Sequence, residues 1–237
     1  MIRKYHNLLF FILPVAGVLI FIALVLFASI NYNGGTYKNP DLEYYSFSQN
    51  YLSDLGRYDT YSGEKNTIPF YAFNIGLLIL SFIFSLYFLY LPNLYDDNSK
   101  MIFLSRYGGV CGFLGSLCFA GVAFTPSDLL FDLHVFFANW LFRLLCGTIL
   151  FLSISLLFKN KKNIILSILF LLIGFMVTSH IILSDLNMAD YFIKSHMIKV
   201  LSQKAAVISL LLSMPVMIVY NSLRLKHALK SISILGL

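Results

Sequence analysis

Arg143 lies about nine residues into an apolar run at 134–158, where a cation is costly unless a carboxylate, a carbonyl or water meets it. At 1.5 Å per residue this is roughly 13 Å below the start of the run, too deep for easy snorkelling. Asn139 precedes it by four residues, so the two share a helix face, and that face is expected to point into a bundle. Polar groups occupy the same end of neighbouring runs: Asn74 in the second turn of one, His180 about 7 Å inside the end of another, Gln203 and Lys204 at the opening of a third. Asp128 and His134 flank the start of the Arg143 run, and Ser53 and Asp54 belong to a Ser-Asp-Leu-Gly turn in a polar loop. Cations in a low-dielectric cavity attract phosphate or carboxylate strongly. Ser53, Asp54, Asn74, Asp128, His134, Asn139, Arg143, His180, Gln203 and Lys204 therefore form the candidate ligand-binding set. Arg143 and Lys204 would meet an anionic lipid headgroup or small anion, with Asp54 and Asp128 as counter-charges in the empty state.

Each of these residues also has a plainer reading. Arg143 fits a structural ion pair as well as a ligand contact. His134 fits an interfacial histidine, His180 a core histidine on a backbone carbonyl, and Asp128 a helix cap. A metal alternative gathers Asp128, His134 and His180, with His196, around zinc as a membrane hydrolase acting on a lipid. Against it, no HxxxH or HExxH spacing is present. The order Cys111, Arg143, His180 resembles that of exosortase-type transpeptidases, but the expected topology separates Cys111 from the other two. A small transporter subunit is the last alternative, with Pro215 as the one interior helix break. No cofactor is called for.

These residues depend on membrane helices for their position. Of 237 residues, 59% are hydrophobic and 12% charged, against roughly 25% charged in a soluble domain. Six continuous apolar runs, at about 8–31, 69–92, 104–125, 134–158, 164–184 and 200–222, approach the roughly 20 residues that a helix needs to cross the hydrocarbon. Barrel strands would alternate instead. The expectation is an all-α bundle, residues 1–237 forming one domain with six transmembrane helices. The first run is too long for a cleavable leader and reads as a retained helix.

With the N-terminus inside, the inner side carries Arg3, Lys4, Lys100, Arg106, Lys159, Lys161, Lys162, Arg224, Lys226 and Lys230. The outer side carries Lys38, Arg57, Lys65, Lys194, Lys199 and Lys204. Ten against six predicts both termini in the cytoplasm of a multi-pass protein of the cell (plasma or inner) membrane. The loop at 32–68 is then extracytoplasmic. It holds Tyr32, Tyr37, Tyr44, Tyr45, Tyr51, Tyr58 and Tyr61, which suit a headgroup-level aromatic belt, and long loops are where function tends to sit. The formal charge of +6 is scattered, so nucleic acid is not an expected partner; membrane lipid is. Cys111, Cys118 and Cys146 lie in apolar runs and imply no disulfide framework. Gly108, Gly112, Ser116 and Ala120 form a small-residue row on the third helix, suited to close packing within the monomer or to an oligomer seam. Richness in Ile, Lys, Asn and Phe points to an AT-rich, bacterial genome.

Tyr51-Leu52-Ser53-Asp54-Leu55-Gly56 and Phe73-Asn74-Ile75-Gly76 resemble the loop signature of a bacterial and archaeal family of six-helix membrane proteins, domain of unknown function 998. Its second signature, Gly followed by Phe-Pro-Ser/Thr-Asp and a downstream His, is similar to Gly121-Val122-Ala123-Phe124-Thr125-Pro126-Ser127-Asp128 with His134, except that Thr125 is inserted. Gln203-Lys204 resembles the Gln-Arg pair of that family's last helix. The family is in turn similar to the DRAM, Frag and Sfk group. The resemblance implies an architecture and residues to test, and no reaction.

Overall fold

The computed structural model describes residues 7–94, 99–159 and 164–234. Six long helices carry the fold. They are α1 (Leu13–Ile30, entered through a π-helical turn Leu8–Ile12), α2 (Thr67–Tyr90), α3 (Ser99–Phe124), α4 (Phe131–Lys159), α5 (Ile164–His180, ending in a π-helical turn Ile181–Asp185) and α6 (Ser195–Ile234). All six contain a stretch long and apolar enough to cross a membrane. An apolar medium leaves backbone groups no water to bond, so continuous helices are the natural answer to these runs. The outcome agrees with the all-α, six-helix expectation, with ends shifted by a few residues. The largest shift is in α6, which begins at Ser195 rather than 200, runs to Ile234 rather than 222, and passes Pro215 without interruption. Arg3, Lys4, Lys161 and Lys162, on which the orientation partly rests, lie outside the described residues.

Consecutive helices pack side by side, and α6 returns to α1 to close a ring whose last seam is the least extensive. The small-residue row of α3 is consumed inside the chain. A Cβ on Gly112 would lie 2.4 Å from the Phe88 ring of α2, one on Gly108 would lie 3.3 Å from Phe151 of α4, and Ser116 is wholly buried. Small residues thus bring α3 close to both neighbours at once. Phe21, Phe73, Leu77, Phe84, Phe88, Leu145 and Leu210 fill the centre.

The 31–66 connection folds back over one end of the bundle. Its backbone has little regular structure, a short 3₁₀ turn (Leu52–Gly56) and a bridge between Asp59 and Lys65, so side chains must satisfy it. Gly35 turns the chain at φ 68°, and a Cβ there would strike the Pro40 carbonyl at 2.1 Å. Side chains from α2, α6 and the α3–α4 turn then fix the loop, and these include several of the candidate site residues.

Candidate functional site

Asp54 is the anchor of the loop. Its side chain is 3% exposed, and its carboxylate accepts the Tyr51 N–H at 2.8 Å, the Asn50 amide at 3.2 Å and the Tyr61 hydroxyl at 3.1 Å. Burial pushes its carboxyl above the usual range, against the lowering effect of the Asn50 bond and the Arg57 charge. The tyrosines around it stay neutral. Burial first, then the Asp54 charge, pushes Tyr51 up to about 12 and Tyr32, Tyr45 and Tyr61 higher still. Tyr32 is buried against Tyr45, so these two rings pack the loop interior rather than a headgroup belt. Tyr37, Tyr44 and Tyr58 remain exposed.

Four of the candidates fasten this loop. Asp128 gives one oxygen to the Tyr58 N–H at 3.0 Å and the other to the Asp59 N–H at 2.8 Å, so both are spent on the loop rather than on the first turn of α4. The Asn74 amide donates to the Gly56 carbonyl at 3.2 Å. On α6, the Gln203 carbonyl accepts the Leu52 N–H at 2.9 Å, and the buried Lys204 ammonium donates to the carbonyls of Phe47 and Asn50. Tyr45 and Phe47 lay their rings against that ammonium. Polar groups at this end of the bundle therefore satisfy an irregular, largely buried backbone.

Beneath the loop lies a chamber of about 400 Å³, within the range of small-molecule sites. Ser53, Asp54, His134, Asn139, His180 and Gln203 line it, as the sequence grouping expected. Asn74, Asp128, Lys204 and Arg143 do not. The loop supplies the wall expected from α2, through Tyr37, Tyr51, Arg57 and Tyr61. Ser127, Ser184 and His196 complete the polar lining.

The largest departure concerns Arg143, expected to face the bundle interior. Its side chain is 40% exposed and pairs at 3.1 Å with Asp185, whose own side chain is 2% exposed. It also lies beside the Trp140 ring, 5.6 Å from the centroid. Phe142, Cys146 and Ile149 take the face of α4 against α5, and Arg143 is left at its outer edge. The chamber's cation is Arg57, from the loop. Its Nε donates to the Asp59 carbonyl at 3.1 Å and its guanidinium lies 4.1 Å from the Tyr61 ring centroid. Among the described residues no protein acceptor holds its two terminal nitrogens. The sequence marker was its position, directly after Ser53-Asp54-Leu55-Gly56.

The histidine tautomers follow from their partners. His134 Nδ1 lies 2.7 Å from the Thr125 carbonyl, which only accepts, so Nδ1 carries the proton. His180 Nδ1 lies 2.9 Å from Ser202 Oγ, whose own proton is given to the Lys199 carbonyl, so again Nδ1 donates. Both neutral rings then keep Nε2 as an acceptor. His196 Nε2 donates to the Gln49 carbonyl at 2.7 Å, and its ring stacks near Tyr37 and Tyr51. Among the described residues no three His, Cys, Asp or Glu side chains converge with metal-ligand geometry, and Asp128, His134 and His180 each have another partner. Cys111 lies beside Gly147, one helical turn beyond Arg143.

Against family models, curated proteins and solved structures, the chain finds no match.

Proposed function

We propose that this chain is a cell-membrane protein that binds the anionic headgroup of a lipid, or a small anion of like chemistry, in the chamber beneath its 31–66 loop, with Arg57 as the anion contact. The observation that carries this reading is the guanidinium itself. It lines a 400 Å³ space with polar and apolar walls, and only its Nε is hydrogen-bonded to the protein among the described residues. A planar fork of free N–H donors suits phosphate or carboxylate oxygens. The Nε2 acceptors of His134 and His180 suit hydroxyl groups on the same ligand. The loop face is, in this reading, extracytoplasmic, and both termini are cytoplasmic.

Kinship with the family of domain of unknown function 998 belongs to the same proposal. Its two signatures adjoin here, since Asp128 at the end of the second bonds the Tyr58 and Asp59 backbone just past the first.

The test is native mass spectrometry of the purified chain released from vesicles of phosphatidylglycerol and phosphatidylcholine in equal parts. Preferential retention of phosphatidylglycerol, lost in Arg57→Gln, is the expected result. Equal retention of both lipids, or a preference indifferent to Arg57→Gln, refutes the headgroup site.

A further inference from the structure

The polar chamber has an apolar annex. A space of about 80 Å³ lies next to it, and the two share Ser53, His134, Ala138, Phe142 and Gln203 as common walls. That space in turn shares Phe21, Leu52, Val207 and Leu211 with a hollow of about 330 Å³. The hollow is set in the seam between α1 and α6, where the helix ring closes least extensively. Its lip is open: Leu26 on α1 is 59% exposed and Leu212 on α6 is 67% exposed. Its rim next to the loop is formed by Tyr45, Phe47 and Leu52. Lys204 and Gln203, neighbours on α6, hold that rim in place through the carbonyls of Phe47 and Asn50 and the N–H of Leu52. Leu52 thus stands as a partition, with the annex on one side and the seam on the other.

A soluble anion needs only the chamber. An amphiphile needs a polar compartment next to an apolar one that reaches the bilayer, and three adjacent spaces separated only by shared side chains provide that once the Leu52 side chain turns aside. The hollow presents almost no polar surface apart from Ser29 and Lys204, and the latter's ammonium is already engaged. Water has few partners there. The hollow opens on the flank of two helices apolar enough to span, where the surrounding solvent is lipid chain.

We propose that the α1–α6 hollow seats one acyl chain of the bilayer lipid whose headgroup occupies the chamber, the chain passing from the seam beside Leu52 to the annex. The proposal rests on the headgroup reading of the chamber and names its ligand class as a lipid. Gln203 and Lys204 act as a latch on the rim, positioning Leu52 rather than contacting the anion.

The experiment uses the full chain in nanodiscs containing phosphatidylglycerol with a diazirine on one acyl chain. Illumination is followed by mapping of the adducts by peptide mass spectrometry. Adducts on Leu52, Val207 and Leu211 are expected. Adducts confined to outward residues that do not line the hollow, such as Leu19 and Val219, overturn the chain site. Val207→Trp, which fills the wall common to hollow and annex, is expected to lower the Leu52 and Leu211 adducts at least fivefold while those on Leu26 persist. Unchanged labelling of Leu52 and Leu211 in that variant also overturns it. The two readings fail separately. Inner-wall adducts that are equally abundant in Arg57→Gln support the chain site and count against the headgroup contact. Arg57-dependent lipid retention without inner-wall adducts does the reverse.

Discussion

Arg143 and Arg57 make opposite uses of the same charge. Arg143 lies within an apolar span, yet it stands at the outer edge of α4, 3.1 Å from a buried Asp185. Arg57 lies in a polar loop, yet it lines the chamber with its terminal nitrogens unclaimed among the described residues. The difference arises from where neighbouring elements end. Four residues separate Asn139 from Arg143, which on a helix is a rotation of about 40° and a descent of roughly 6 Å. α5 and its π-helical turn stop at Asp185. Asn139 lines the chamber along with Ser184, whereas Arg143 meets the last carboxylate of that turn. A cation deep in a hydropathy profile is therefore paired and spent, while a cation in the loop is brought to the cavity by the fold of the loop.

The comparison breaks first at Asp54, if the loop does not depend on it. Asp54→Ala strands the Tyr51 N–H and the Tyr61 hydroxyl and leaves the Asn50 amide only its bond to the Gly35 carbonyl, and unsatisfied buried donors cost about 1–3 kcal/mol each before relaxation. The expected loss is about 3 kcal/mol in denaturant unfolding of the detergent-solubilised protein, and a loss under about 0.5 kcal/mol would deny the anchor. Arg57→Ala is expected to lower stability by about 1 kcal/mol, through the lost Asp59 bond and the lost charge near Asp54, and to weaken retention of an anionic lipid about tenfold or more, since a charged hydrogen bond contributes about 1.5–3 kcal/mol. Arg143→Gln is expected to lower stability by about 1 kcal/mol, as a half-exposed pair with one buried partner, and to leave lipid retention within about twofold.

The smallest effect is a slope with pH. Burial raises the Asp54 carboxyl above its ordinary value of 3.8. Between its unfolded and folded values the native state binds more proton than the unfolded state, so this group's contribution to stability declines as pH rises through that window. Thermal unfolding of wild type and Asp54→Asn from about pH 4 upward should show that decline only in the wild type. Parallel curves would mean that the carboxyl is not displaced.

The six helices were legible because continuous apolar runs of spanning length admit few other structures. The chamber was legible in part. His134, Asn139, His180 and Gln203 share an end of the bundle by simple counting along their helices, and the structure brings them together with Ser53 and Asp54. What counting does not reveal is which partner a polar side chain finds. Asn74, Asp128 and Lys204 have partners, but these are the backbone of the 31–66 loop. A loop with almost no regular structure gives no periodicity to read, so its path over the chamber, and hence the places of Arg57 and Tyr37, came only with coordinates. Pro215 likewise marked a break in the sequence, whereas α6 continues through it.

The most direct test sets the two arginines side by side. Phosphatidylglycerol bound to wild type, Arg57→Ala and Arg143→Ala is counted by native mass spectrometry at matched protein and lipid concentrations. A loss of about tenfold or more is expected for Arg57→Ala, with near wild-type retention for Arg143→Ala. The opposite order, or equal losses in both, would remove Arg57 as the anion contact.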